Sequence, residues 1–367
     1  MGLPRCKAAG SLGVCIPRPV PVPVPHTICL APQTDTAPNF MGASDSTAGW
    51  DASHIPSLTG KVVIVTGANS GIGFITALEL ARKQAHVVLA CRNVERGQQA
   101  VNTIKTELGG TIHSAVEFME LDLSDLHNVQ NFGETFLTKF ERLDILVNNA
   151  GVLVPSQTHT AGGLEMQFAV NHLGHFYLTS LLFDLLKRGD EPSRVVTVTS
   201  LSHSWAKLNL SKLPRSRPDK RTYSKEYATS KLANLLFTYE LDRRITAAGW
   251  AGKVLAVAAH PGIASSEIPL KVLAEHFPSW MQSFVVKLFE ISHLGQPIGR
   301  GALPSLFAAT GVPVESGDYF GPDGFLGIRG KGPKKIESSR ASHSEEDGSA
   351  LWALSEDIAT CKFEVKK

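Results

Sequence analysis

The sequence predicts an α/β fold: a doubly wound, seven-stranded parallel sheet with helices on both faces, in a single domain. Two observations predict it. From Lys61 onward, short apolar runs alternate with helix-patterned segments, and such alternation implies parallel strands joined by helical crossovers. Where the first strand gives way to the first helix stands a glycine cluster, "TGANSGIG". A hydrophobic fraction of 43% over 367 residues is ample for a buried core.

The elements follow in order. "KVVIVT" is the first strand, and a helix begins at Gly71. "HVVLA", a second helix, "VEFMELDL", a third helix and "LDILVNN" continue the alternation. A helix around "GLEMQFAVNHLGHFYLTSLLFDLL" follows, then the run "RVVTVTS", the helix holding "YATSK" and the strand "KVLAVAAH". No repeat at solenoid spacing is visible. The domain is expected to cover residues 58–330.

Residues 1–57 read as a disordered, Pro-rich segment: "IPRPVPVPVPHT" alternates proline with valine, which excludes helix and favours an extended polyproline-like chain. Arg5, Lys7 and Arg18 are the only charges before Asp35, which leaves room for organelle targeting, although the prolines oppose an amphipathic transit helix. Met41 offers a second start for translation. Beyond the sheet, "SGDYFGPDGFLGIRGKGPKK" reads as turns. Residues 331–367 form a C-terminal extension whose "EEDGSALWALSEDIA" is a terminal helix with Trp352 and Leu354 packed inward.

Composition excludes several functions. Thirty-six Lys and Arg against 34 Asp and Glu give +2, with no block of like charge, so no nucleic-acid partner is expected. The five cysteines, Cys6, Cys15, Cys29, Cys91 and Cys361, show no C-x-x-C spacing, so neither a disulfide framework nor a metal site is expected. No apolar run reaches the ~18 residues of a membrane-spanning helix. A cytoplasmic location follows as the expectation.

Gly67, Gly71 and Gly73 stand at G-x-x-x-G-x-G spacing just where the first helix opens. Glycines there let the backbone approach a pyrophosphate, whose charge the helix N-terminus favours, so the fold is of the Rossmann type and binds a dinucleotide. The second strand ends "LACRN", with Cys91 where an acid would hold a ribose 2′-hydroxyl and Arg92 next to it. An arginine can clamp a 2′-phosphate, so NADP(H) is favoured over NAD(H). In "YATSK", Tyr227 and Lys231 are four apart and share a helix face. A fixed positive neighbour favours the phenolate, as a proton donor working near neutral pH requires.

With "TGANSGIG", "NNAG" (148–151), "VNHLGHF" (170–176), "VTS" (198–200), "YATSK" and "HPG" (260–262) in order, residues 58–330 resemble the short-chain dehydrogenase/reductase family. "ACRN", "VNHLGHFYLT" and "SKLANLLF" look most like its retinol dehydrogenase and WW-domain oxidoreductase branch. The resemblance implies hydride transfer between NADP(H) and a small lipophilic alcohol, aldehyde or ketone. It makes Tyr227 the general acid/base, Lys231 its activator and ribose ligand, Ser200 the hydrogen-bond donor to the substrate oxygen, and Asn171 the support of a proton-relay water. It implies cofactor contacts from Gly67, Asn69, Ser70, Gly71, Ile72, Gly73, Arg92, Asp122, Leu123, Asn148, Ala150, Pro261 and Ser266. Lowering the phenol by ~3 units would take roughly 4 kcal/mol of preferential phenolate stabilisation, a task for Lys231 and a nicotinium charge together.

Other candidates rank lower. Tyr223 lacks a lysine four residues on and reads as a packing or pocket residue, and His172, His175 and His260 read as structural. Asp122, at a strand end, could equally cap the next helix. Ser266 stands where the family commonly has threonine, and keeps the hydroxyl. Twenty-six residues separate Ser200 from Tyr227, an insertion near the site. The stretch "SSEIPLKVLAEHFPSWMQSFVVKLFEISHLG", broken by Pro278, is too apolar for one helix stripe and is expected to be a lid over a lipophilic substrate. Its second apolar face leaves room for a homodimer or peripheral membrane contact. Two alternatives stay open: a double-bond reductase resembling protochlorophyllide reductase, and a non-catalytic NADP(H)-binding regulator. An extended-type epimerase would need G-x-x-G-x-x-G, which the chain lacks.

Overall fold

The computed structural model describes residue 47 and residues 49–109, 115–153, 155–215, 223–263 and 296–367. The sequence expectations for residues 1–46 and 48, for Ser266, for the lid stretch and for the Tyr223 side chain lie outside the described residues. Residues 49–57, expected to be disordered, are ordered, with a 3₁₀ turn at Ala52–His54 and Ile55 buried.

Eight strands form one sheet in the order β3-β2-β1-β4-β5-β6-β7-β8. They are β1 (Val62–Thr66), β2 (His86–Cys91), β3 (Val116–Glu120), β4 (Ile145–Asn148), β5 (Ser193–Val198), β6 (Val254–Ala259), β7 (Tyr319–Pro322) and β8 (Pro333–Lys335). The pairs from β3 to β7 are all parallel, and β8 runs antiparallel to β7. The six strands named in the sequence are β1–β6; β7, the seventh that was expected, and the antiparallel β8 are both additions to those runs. "PKK" carries no apolar run because an edge strand of three residues has almost nothing to bury. β7 lies within the stretch whose glycines read as turns.

The helices are α1 (Gly71–Arg82), α2 (Val94–Glu107), α3 (Leu126–Lys139), the single turn α4 (Met166–Phe168), α5 (Gly174–Leu186), α6 (Tyr223–Ala247), α7 (Ile298–Thr310) and α8 (Glu345–Ala359). Alternate residues of each strand serve opposite cores. Val63, Val65, Val87 and Leu89 pack with α1, α2 and α7, whereas Ile64, Val88 and Ala90 pack with α3, α5 and α6. Both faces are thus covered, as an all-parallel run of strands requires.

Asp45–Lys367 forms one compact unit. It takes in Trp50, edge-on to Phe307 at 5.1 Å, and the residues after 330. There β8 extends the sheet and α8 packs along α6 and α5. Leu351 and Trp352 are the fully buried large residues of α8, while Leu354, expected inward, is only half-buried. The buried positions 351, 352, 355 and 359 follow the helical period, which turns 354 to the flank.

Between β1 and β4 the strand order reverses direction. In an open α/β sheet ligands bind outside the carboxyl ends of the strands at such a switch point, and the carboxyl ends of β1, β2, β4, β5 and β6 carry the candidate residues.

Candidate active site

β1 ends at Thr66 and the chain turns through Gly67, whose φ of +64° favours glycine; a Cβ there would also lie 2.9 Å from the Ala150 backbone. A Cβ on Gly73 would come within 2.4 Å of the Asn149 amide nitrogen and 2.6 Å of the Gly67 carbonyl oxygen. These two glycines let loop, helix and the "NNAG" turn close on one another. Gly71, with φ +59°, differs: a Cβ there would meet nothing within 4 Å. Ser70, the exposed N-cap of α1, makes no side-chain cap bond. The N-terminus of α1 therefore opens into free space with its amide donors uncapped, a cradle fitting a pyrophosphate. Asn69 and Ile72 flank it, both half-buried.

The β2 terminus supports this loop directly. The Cys91 thiol is buried beside the amides of Ala68 and Asn69, which lower it less than burial raises it; it is pushed up to about 11 and stays protonated. The residue that replaces an acid here props the glycine loop from behind. Arg92 is exposed beside it and makes no hydrogen bond or ion pair among the described residues. On the next strand end, Asp122 accepts from the Ser124 amide and hydroxyl at 2.9 and 2.6 Å, a local turn cap, and Leu123 is buried against Gly174.

Thr66 gathers the first-strand end and the "NNAG" turn. Its hydroxyl accepts from the amides of Asn149 and Ala150, each at 2.9 Å, and stands 2.9 Å from His175 Nε2. His175 Nδ1 lies 3.1 Å from the Asn171 carbonyl oxygen, so the neutral tautomer with Nδ1 protonated satisfies both contacts. Burial holds that imidazole at about 3. Asn148 is buried and donates to Thr179.

Asn171 sits in a π-helical stretch, Ala169–Leu173, between α4 and α5. A π turn widens the helix and re-aims side chains, and such turns cluster at functional sites. Asn171 Oδ1 accepts from the Val152 amide at 2.7 Å, and Nδ2 donates to the Val152 carbonyl at 3.1 Å and to Ser230 Oγ at 2.9 Å. Gly151 lies between this amide and the lysine: a Cβ on it would be 3.3 Å from Lys231 Nζ and 3.4 Å from Asn171 Oδ1.

Ser200 follows β5 and caps a short 3₁₀ helix, Leu201–Trp205. Its hydroxyl stands near enough to the Tyr227 phenol to lower it somewhat against burial. Tyr227 and Lys231 lie on one face of α6, with Lys231 Nζ 5.6 Å from the phenol ring centre. The ammonium donates to the Val198 carbonyl at 3.0 Å, and Asn234 Nδ2 donates to the same oxygen at 3.0 Å, so α6 is fastened to the end of β5. The structure thus brings together Asn171, Ser200, Tyr227 and Lys231.

One expectation is corrected. Burial pushes the Tyr227 phenol up to about 12, against the smaller lowering from Ser200, and brings Lys231 down to about 8. Desolvation of the phenol is the largest influence on it and outweighs the lowering from Ser200, and no lowering by the lysine offsets it. Pro261 is half-buried and its carbonyl accepts from Gln296 at 2.6 Å. His260 is buried, with Nδ1 accepting from the Gly262 amide. Among the described residues no three His, Cys, Asp or Glu side chains converge as a metal ion would need.

Sequence reasoning missed Thr66, Ser230, Asn234 and the supporting role of Cys91. A hydroxyl at the last position of the first strand was the available signal for Thr66.

The family described as short chain dehydrogenase matches residues 61–210. Retinol dehydrogenase 12 of Mus musculus is 37% identical over 309 residues, covering 84% of this chain and 89% of that protein. The WW domain-containing oxidoreductase of Gallus gallus is 40% identical over 310 residues, covering 82% of this chain and 68% of that one. Among solved structures, an uncharacterized protein from Mycobacterium paratuberculosis superposes with a TM-score of 0.67 at 35% identity, covering 86% of this chain and 99% of that one. The chain belongs to the short-chain dehydrogenase/reductase family of oxidoreductases, in its retinol dehydrogenase-like branch.

Proposed function

We propose that this protein transfers a hydride between NADP(H) and a lipophilic alcohol, aldehyde or ketone, with Tyr227 as the general acid/base. The observation that carries the reading is the placing of Tyr227 and Lys231 on one face of α6, with Lys231 Nζ 5.6 Å from the phenol ring centre and the Ser200 hydroxyl near the phenol, at the same carboxyl end of the sheet as the open α1 N-terminus. A substrate oxygen placed between the two hydroxyls would accept from both.

The residues present fit the cofactor. The α1 amides, Asn69, Ser70 and Ile72 would face its pyrophosphate, Gly67 and Gly73 permit that loop, and Arg92 would pair with its 2′-phosphate. Asp122 and Leu123 would meet the adenine, while Asn148, Ala150, Lys231 and Pro261 would line the nicotinamide half. Ser266 belongs to the same proposal on sequence grounds. The bound cofactor supplies or accepts the hydride, and its positive oxidised ring adds the charge that Lys231 alone does not provide to the phenol.

The remaining tasks fall to the protein. In reduction Tyr227 gives its proton to the carbonyl oxygen, and in oxidation it takes the proton from the alcohol. Ser200 donates to the same oxygen and fixes its distance from Tyr227. Asn171 anchors Val152 and Ser230, and so supports the water relay that restores the phenol proton. Lys231, at about 8, is mostly charged at neutral pH and favours the phenolate formed in reduction.

A lipophilic substrate is supported by the surroundings of Ser200. Trp205, at the far end of the turn that Ser200 caps, is 75% exposed, and Phe325 and Leu326 are 83% and 69% exposed. Gly327 brings that second turn beside Leu201, where a Cβ would lie 3.7 Å from the leucine side chain. Apolar groups of this size beside a polar centre suit a substrate with a long apolar body. The proposal includes peripheral membrane contact and a homodimer, which rest on the apolar sequence after "HPG", and a cytoplasmic location. Among the described residues no helix is long and apolar enough to cross a membrane.

The test is a series of aldehydes of increasing chain length with NADPH or NADH, read as loss of reduced-cofactor absorbance. Turnover that rises with chain length and prefers NADPH is expected. Tight NADPH binding without turnover of any aldehyde, ketone or alcohol would overturn the reading in favour of a regulator. Arg92→Ala tests the cofactor arm. A charge-assisted hydrogen bond contributes about 1.5–3 kcal/mol, so the variant should erode NADPH preference by roughly tenfold or more and leave NADH kinetics alone. Equal loss toward both cofactors would remove Arg92 from the 2′-phosphate site.

A further inference from the structure

We propose that His203, tied to the C-terminal turn at Ser339, is a positioning residue that holds Ser200 at its working distance from Tyr227. The inference rests on the proposed roles of those two hydroxyls.

His203 follows Ser200 by three residues on the 3₁₀ turn and is buried. Its Nδ1 lies 2.7 Å from the Ser200 carbonyl oxygen, and the Ser339 amide donates to its Nε2 at 3.1 Å. An amide N–H can only donate, so Nε2 must carry the lone pair and Nδ1 the proton. One neutral tautomer satisfies both contacts, and burial, which lowers the histidine's affinity for a second proton, keeps it in that state. The ring also packs edge-on to Tyr319 of β7, at 5.8 Å.

Both ends of Ser200 are consequently held. Its carbonyl accepts from the His203 amide at 3.1 Å as well as from Nδ1. Its hydroxyl stands near the Tyr227 phenol and accepts from the Ser202 amide at 3.3 Å. The far end of the brace is anchored in turn. Ser338 Oγ lies 2.7 Å from the Tyr239 hydroxyl, and His343 stacks on the Tyr239 ring at 4.4 Å. Tyr239 belongs to α6, the helix that presents Tyr227 and Lys231. The turn 338–343 therefore joins the loop bearing Ser200 to the helix bearing Tyr227 by a route separate from the bonds at Val198. A shift of either partner would open the gap in which a substrate oxygen must meet two hydroxyls, and such alignment is sensitive to displacements on the order of 1 Å.

Two substitutions divide the contacts. Asparagine places an amide near the Nδ1 position and keeps the donor to the Ser200 carbonyl, whereas glutamine reaches the Nε2 position and keeps the acceptor for Ser339. The expected results, measured on the full chain with NADPH and nonanal, are a fall in kcat of about tenfold or more for His203→Gln with little change in KM or NADPH binding, and recovery to within about threefold of wild type for His203→Asn. In a Ser200→Ala background, His203→Gln should cost almost nothing further, because its effect acts through Ser200. Thermal midpoints of the two single variants separate positioning from folding: they should lie close together while the kcat values diverge. The inference is overturned if His203→Gln keeps native kcat while Ser200→Ala lowers it, if the two losses multiply in full, or if both variants lose activity in step with stability. Ser200→Ala with undiminished turnover would instead bring down the proposed function, and this inference with it.

Discussion

Replacing Tyr227 by phenylalanine should slow turnover by ~10²–10⁴, the range typical of a lost general acid/base, while NADPH binding changes little. The substitution removes one oxygen from a half-buried ring and leaves the packing of α6 in place. Single-turnover kinetics with NADPH and a long-chain aldehyde measure the chemical step apart from release, and cofactor titration measures binding. A variant that turns over at nearly the wild-type rate would take Tyr227 out of the proton transfer. Loss of NADPH affinity in parallel with rate would mean that the ring holds the cofactor and does no acid/base work.

Replacing Trp352 by alanine should destabilise the folded chain by about 3–5 kcal/mol, the usual cost of removing a fully buried large aromatic. Trp352 is 2% exposed. It meets Phe176 of α5 edge-on at 5.0 Å, stacks on Phe363 at 4.7 Å, and lies under the Arg244 guanidinium of α6 at 4.2 Å. These contacts tie the last helix to both helices behind the candidate site. Urea denaturation of wild type and variant checks the value. A change below about 1 kcal/mol would mean that α8 is an appendage the rest of the fold does not need.

The parts of this molecule that were legible in the sequence are those encoded locally. The Tyr227 and Lys231 register follows from four-residue spacing on a helix, and the Gly67, Gly71 and Gly73 loop from its place between the first strand and first helix. Parts that depend on distant chain segments meeting were not legible. Thr66 receives amides from residues more than eighty positions away. Cys91 looked like the absence of an acid, and only the fold shows its thiol under the glycine loop. The direction of the phenol shift was misjudged for a related reason: spacing shows that a cation is near, but desolvation depends on everything that surrounds both groups. β8 escaped notice because a three-residue edge strand has no apolar signature, and Leu351 was passed over for Leu354 because the phase of α8 is set by the surface it packs on.

The outer margin of the sheet also bears on how this protein behaves when concentrated. A parallel sheet that stopped at β7 would present a row of unpaired amides and carbonyls to any neighbouring chain, an invitation to edge-to-edge aggregation. β8 covers that row antiparallel to it and makes a poor template itself. It is only three residues long, Pro333 has no amide to offer, and Lys334 and Lys335 are exposed, the latter held by Asp318 at 2.6 Å. Short length, a proline and lysines are each known deterrents to strand addition, so this side of the barrier against self-association is built from the same few residues that leave almost no trace in a hydropathy pattern.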